Sequence, residues 1–274
     1  MPIEQIIVLA LIQGITEFLP ISSSGHLILV PLLTGWEDQG LITDVMVHMG
    51  SFIAVIVYFW RDVLALLGGF INMLRGRVTP EGRLAVLIIL ATIPAIAFGL
   101  FLKHMGYMEQ FRSAELVAWN AIVFAIIMFI ADQLGAFRKR MADMTVGPAL
   151  IIGCAQALAI IPGTSRSGIT MSAARALGFQ RPEAARFSFL LGLPAIAGSG
   201  ILVIGDAIES GAAISTDALL TGALTIVTAL ISIGFLMAFL KRFSLLPFVI
   251  YRLFLGATLL ALIYAGIPLG AVAN

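Results

Sequence analysis

The sequence predicts an all-α polytopic membrane protein, with six transmembrane helices plus two re-entrant helix hairpins in two inverted-topology repeats. Three observations predict it. Of the 274 residues, 60% are hydrophobic and 11% charged. With a mean hydropathy of +1.07, that is more apolar surface than one water-soluble core can bury, so lipid is the solvent. Six apolar stretches are long enough to cross a hydrocarbon core. Two further apolar regions are each broken near the middle by Gly, Pro, Ser and ionisable residues, and the two resemble each other. The expected organisation is a single membrane domain, 1–274, with repeat halves 1–137 and 138–274.

The first broken region covers 5–34 and is interrupted by QGITEFLPISSSGH. A helix cannot run through Pro20 and three serines without freeing backbone groups that lipid leaves unsatisfied. Two half-length helices solve this, with the break facing protein or a cavity. Full spans follow at 42–60, 84–102 (carrying Pro94 as an expected kink) and 114–131. The second broken region, 146–178, is interrupted by IIPGTSRSGIT, and spans at 187–205, 218–240 and 248–270 complete the chain. A shift of 143 positions places Gln13 on Gln156, Ser22 on Ser165, Ser24 on Ser167 and Gly25 on Gly168. Each half is then one hairpin and three crossings, and an odd number of crossings inverts the second half.

The charges test this count. Arg61, Arg75, Arg77, Arg83, Arg138, Lys139, Arg140, Arg175, Arg181, Arg186, Lys241 and Arg242 fall on one side. Lys103 and Arg112, with the acids Asp206, Glu209 and Asp217, fall on the other. The basic side is cytoplasmic, so both termini and the opening of the first hairpin are expected outside. The N-terminus has Glu4 where a secretory signal carries a cation, and it is expected to be retained. A net charge of +1 without a basic stripe excludes nucleic acid as a partner. Cys154 is the single cysteine. It permits no internal disulfide, matches no zinc spacing, and reads as a small buried apolar residue.

The breaks carry the chemistry. Gln13 and Glu17 are four residues apart on one helix face, and Ser22, Ser23 and Ser24 follow Pro20 as an N-cap, with His26 one turn in. Gly163, Thr164, Ser165, Arg166, Ser167, Gly168 and Thr170 open the half-helix of the second break. Helix N-termini flanked by glycine offer free N–H groups to an anion. An uncompensated arginine at membrane depth costs roughly 2.5–3.5 kcal/mol, so Arg166 and Glu17 both need partners. A salt bridge between the halves would satisfy them, but it would not explain the hydroxyls, glycines and histidine at the same places. Arginine, N–H groups and hydroxyls together form a phosphate site. His48, Asp44 and Asp132 read as packing or interfacial residues, and Arg252, beside Tyr251, as a member of a structural ion pair.

QGITEFLPISSSGHL resembles the (E/Q)xxxE motif and serine stretch, and PGTSRSGIT the PGxSRSxxT motif, of the undecaprenyl-diphosphate phosphatase family, also called bacitracin-resistance phosphatases. The likeness extends over essentially the whole chain, including FW at 59–60 and LPFVIYR at 246–252. It implies removal of the terminal phosphate of undecaprenyl diphosphate outside the bacterial cytoplasmic membrane, recycling the lipid carrier for cell-wall synthesis. By motif position, Glu17, Ser23, His26 and Arg166 are the catalytic candidates. Ser22, Ser24, Gly163, Thr164, Ser165, Ser167, Gly168 and Thr170 are the phosphate-binding candidates, and Gln13 is a supporting residue.

Some family members have Glu at the position of Gln13, which weighs against a two-carboxylate mechanism or a metal site using both positions here, and Thr also occurs at that of Ser24. The family's dependence on divalent cations implies Mg²⁺ or Ca²⁺, with Glu17 as the metal ligand and substrate oxygens and water completing the shell. Ser23 attacks in this scheme, with Glu17 or His26 as base. The implied partners are a polyprenyl diphosphate lipid and the membrane, and a homodimer is compatible with the sequence. A lipid-phosphate carrier would share the architecture, but it needs no Ser/His/Glu set beside its arginine.

Overall fold

A computed structural model describes residues 1–106, 111, 113–134, 137–209 and 214–266, apart from the side chains of 203, 204 and 206–209. Arg112, the side chains of Asp206 and Glu209, and the end of the last expected span lie outside the described residues. The helices are α1 Ile3–Thr16, α2 Ser23–Thr34, α3 Gly40–Tyr58, α4 Trp60–Leu74, α5 Pro80–Met105, α6 Ala114–Gln133, α7 Val146–Leu158, α8 Arg166–Ala176, α9 Arg181–Glu209, α10 Thr216–Phe239 and α11 Leu246–Tyr264. No strand occurs among the described residues. Six helices, α3, α5, α6, α9, α10 and α11, are long and apolar enough to cross a membrane. They match the six expected spans, and this is a multi-pass membrane protein.

Capping chemistry explains where several spans begin. Thr79, Ser113 and Ser215 accept from the N–H groups of Gly82, Leu116 and Ala218 at 3.1, 3.2 and 3.1 Å, each satisfying a first-turn donor that has no intrahelical partner. α5 runs on through Pro94 without interruption. In lipid, helices gain nothing from burying apolar faces against one another, so close approach must hold them together. Glycine allows that approach. A Cβ on Gly50 of α3 would lie 2.3 Å from the Gly222 carbonyl oxygen of α10, and one on Gly153 of α7 would lie 2.2 Å from the Ala91 carbonyl oxygen of α5.

Helix α4 was not expected. Its 15 residues alternate between faces, and Trp60, Leu64, Leu67, Ile71 and Leu74, at steps of four and three, are all at least 47% exposed. This is an amphipathic segment with an outward apolar stripe. Its inner side touches α5, where a Cβ on Gly69 would lie 2.3 Å from the Gly82 nitrogen. Cys154 also departs from expectation, because it faces outward from α7 and is exposed. In a lipid solvent the outside of a helix is as apolar as its core, so hydrophobicity alone does not bury a residue.

The charge-rich ends are tied by ion pairs. Asp132, at the end of α6 and only 2% exposed, accepts from Arg175 Nε at 2.8 Å, from Arg181 Nε at 2.9 Å and from the Leu245 N–H at 3.1 Å. One carboxylate thereby joins α6, α8, α9 and the approach to α11. The packing role expected for Asp132 holds. Arg186 of α9 pairs with Asp62 of α4.

Candidate active site

Both broken regions fold the same way at matching positions. α1 packs against α2 and α7 against α8, so each region is a pair of helices rather than one rod. Ser22 caps α2 with φ 77° and ψ 95°, and its Oγ accepts from the Gly25 N–H at 3.4 Å. Ser165 caps α8 with φ 72° and ψ 111°, and its Oγ accepts from the Gly168 N–H at 3.1 Å. Positive φ at a residue bearing a Cβ is strained, yet it recurs at both caps. The effect is to turn the chain sharply and start each half-helix at the other's tip. Ser167 Oγ donates to the Leu19 carbonyl at 3.2 Å, which locks tip to tip.

The charged cluster forms where the tips meet. Glu17 is 6% exposed. Its Oε1 accepts from Arg166 Nη2 at 2.8 Å, and its Oε2 accepts from Ser23 Oγ at 2.5 Å and from Gln13 Nε2 at 3.2 Å. Arg166 Nη1 also donates to the Ser188 carbonyl at 3.3 Å. Thr170 Oγ1 donates to the Arg166 carbonyl at 2.7 Å and accepts from Ser188 Oγ at 2.6 Å. Ser23 and Arg166, each the first residue of its half-helix, occupy matching positions under the shift of 143. The first-turn N–H groups of Ser23, Ser24, Arg166 and Ser167 have no carbonyl available within their own helices. Hydroxyl, carboxylate, guanidinium and free N–H groups therefore converge on one point.

Other predicted site residues are placed nearby without joining this cluster. His26 turns toward α11, with Nδ1 2.7 Å from the Ser22 carbonyl oxygen and Nε2 2.6 Å from Tyr251 Oη. Gly163 and Thr164 direct their carbonyls at Arg252, which donates to them at 2.8 and 3.1 Å. Arg252 further donates to the carbonyls of Pro20, Asn120 and Ala121 at 3.3, 3.1 and 3.2 Å. The ion pair expected for Arg252 is thus replaced by five carbonyls, three of which, those of Pro20, Gly163 and Thr164, the interrupted helices leave free of i→i+4 partners. Ser24 stays half-buried, its Oγ 3.4 Å from that of Ser22.

Sequence spacing missed several contacts. His48, on α3, brings Nε2 to 3.7 Å from Glu17 Oε2, with its Nδ1 held 2.6 Å from the Asp44 carbonyl oxygen. Ser51 accepts from Gln13 Nε2 at 3.3 Å. Ser188 and Gly192 shape the seat of Arg166, since a Cβ on Gly192 would lie 1.8 Å from Nη1. Asn120 holds the Pro162 carbonyl at 2.8 Å. A cavity of about 880 Å³ lies elsewhere, between α4, α5, residues 140–144 and α9, and none of the motif residues lines it. Chemistry rather than volume marks the site.

Among the described residues no three His, Cys, Asp or Glu side chains cluster as a metal site. Gln13 Oε1 is buried without a hydrogen-bond partner, and it is Nε2 of the same amide that faces the Glu17 carboxylate. The Glu17 carboxylate is a hard oxygen donor that fits part of a divalent-cation shell, with the remainder left to substrate and water.

The family described as "Bacitracin resistance protein BacA" matches residues 6–258. A protein of Erythrobacter litoralis named undecaprenyl-diphosphatase is 50% identical over 94% of this chain and 98% of its own length. Proteins of the same name from a Ruegeria species and from Saccharophagus degradans are 46% and 48% identical, each over 96% of this chain and over 100% and 99% of their own lengths. The chain belongs to the bacitracin resistance protein BacA family.

Proposed function

We propose that this protein is an undecaprenyl-diphosphate phosphatase, which hydrolyses the terminal phosphate of undecaprenyl diphosphate and thereby confers bacitracin resistance. The observation that carries this reading is Glu17, held between the Ser23 hydroxyl and the Arg166 guanidinium where the two breaks meet. Ser23 Oγ attacks the terminal phosphorus while Glu17 takes its proton. The bond to the bridging oxygen breaks, and the lipid monophosphate departs. Water then attacks the phosphoserine, and inorganic phosphate leaves as the proton held on Glu17 returns to Ser23. Arg166 and the free N–H groups of both half-helices hold the charge on the equatorial oxygens.

Glu17 is the base in this scheme, because the Ser23 hydroxyl points at it while the His26 ring nitrogens are committed to Ser22 and Tyr251. Gly163 and Thr164 act through Arg252, fixing the second break. A divalent cation would be held by Glu17, with substrate oxygens and water completing its shell, and it would neutralise the diphosphate.

The two halves are inverted repeats, 1–137 and 138–274, and the helix pairs are re-entrant hairpins. The matched caps at Ser22 and Ser165 and the odd number of long helices in each half support this arrangement. In the bacterial cytoplasmic membrane both termini are outside and the site opens there. Purified protein in detergent, where no gradient exists, should release inorganic phosphate from undecaprenyl diphosphate. No release above that of protein-free detergent would overturn the proposal.

A further inference from the structure

We infer that Tyr251 and His26 form the subsite for the lipid-linked phosphate, the one that stays with the prenyl chain. The inference rests on the diphosphatase reading above. His26 lies three residues beyond Ser23 on α2, roughly 4.5 Å along the helix axis, so a phosphate joined to the one under attack falls beside it. A backbone carbonyl can only accept, so the contact with Ser22 assigns a proton to Nδ1. In the neutral ring Nε2 is then an acceptor, and Tyr251 Oη donates to it at 2.6 Å.

The pair stands at an open edge of the site. Tyr251 is 39% exposed, and Ile250 and Phe254, its neighbours on α11, are 57% and 71% exposed. Those apolar side chains face lipid, so the pair lies where a prenyl chain passes from site to bilayer. Neither guanidinium competes for this phosphate, since Arg252 is occupied by five carbonyls and Arg166 is assigned above to the terminal phosphate. A phosphate oxygen is a charged acceptor and draws the tyrosine hydrogen bond away from neutral Nε2.

Inhibition of undecaprenyl diphosphate hydrolysis tests this, with undecaprenyl monophosphate and inorganic phosphate as separate inhibitors of wild type and Tyr251→Phe in the same detergent. Phenylalanine keeps the ring that stacks on His26 and removes only the hydroxyl. The half-inhibiting concentration of the lipid monophosphate should rise about tenfold, while that of inorganic phosphate stays unchanged. An unchanged response to lipid monophosphate, or an equal shift for both inhibitors, overturns the subsite alone. Absence of hydrolysis by the wild type sinks the diphosphatase reading and the subsite with it.

Discussion

Arg166 and Ser23 meet through one carboxylate, so each can be altered while the other keeps its partner. Arg166→Lys preserves the charge but not the planar fork that pairs with two phosphate oxygens at once. If that contact strengthens as charge develops, kcat should fall on the order of 10²-fold or more, read by phosphate release at matched protein yield. Near-normal turnover would leave Arg166 as a tie between the halves. Ser23→Ala should fold and bind but lose turnover, whereas Ser24→Ala should be mild, since among the described residues its hydroxyl hydrogen-bonds Ser22 Oγ alone. Ser22→Ala acts through stability, costing about 1 kcal/mol for the lost cap. Substantial activity in Ser23→Ala would mean that water attacks directly.

At the scale of elements, the position of Arg166 depends on α9. A methyl at Gly192 would overlap the guanidinium, while nothing lies within 4 Å of a Cβ at Gly198 on the same helix. Gly192→Ala should therefore cut kcat strongly with little loss of expression, and Gly198→Ala should not, a contrast that steady-state kinetics on both variants would show. Equal effects would mean that helix propensity, not the seat of Arg166, is at issue. How much of this was legible beforehand follows from chain distance. The six spans and both breaks could be read because apolar runs and Pro/Ser interruptions are local, and so could the Ser22 cap. Helix α4 could not, since its apolar residues are interspersed with Arg61, Asp62 and two glycines and are too few to register as a span. His48, Ser188 and Tyr251 reach their partners from 31, 22 and 225 residues away, where spacing says nothing. The same limit made Arg252 look like an ion-pair residue, because interrupted backbone is visible in sequence but its direction is not.

For the whole molecule, Asp132 and Asp62 bind three arginines, Arg175, Arg181 and Arg186. The topology proposed above, from the positive-inside rule, has Arg75 and Arg140 in the cytoplasm and both termini outside. Reporter fusions at residue 1, within 75–79 and at 266 should read out, in and out. A cytoplasmic C-terminus would contradict the span parity.

The matched caps have a thermodynamic consequence. They aim the positive ends of two helix dipoles, each worth about half an elementary charge, at one another and at Arg166, with Glu17 as the balancing anion. These groups together carry an excess of positive charge, and an oxyanion bound there offsets it and stabilises the fold. Orthovanadate or pyrophosphate at a hundredfold excess over Kd should stabilise the protein by about 2.7 kcal/mol, visible as a higher melting midpoint. Ser23→Ala should show the same rise, because oxyanion binding comes before any bond is made, and Arg166→Lys should show less.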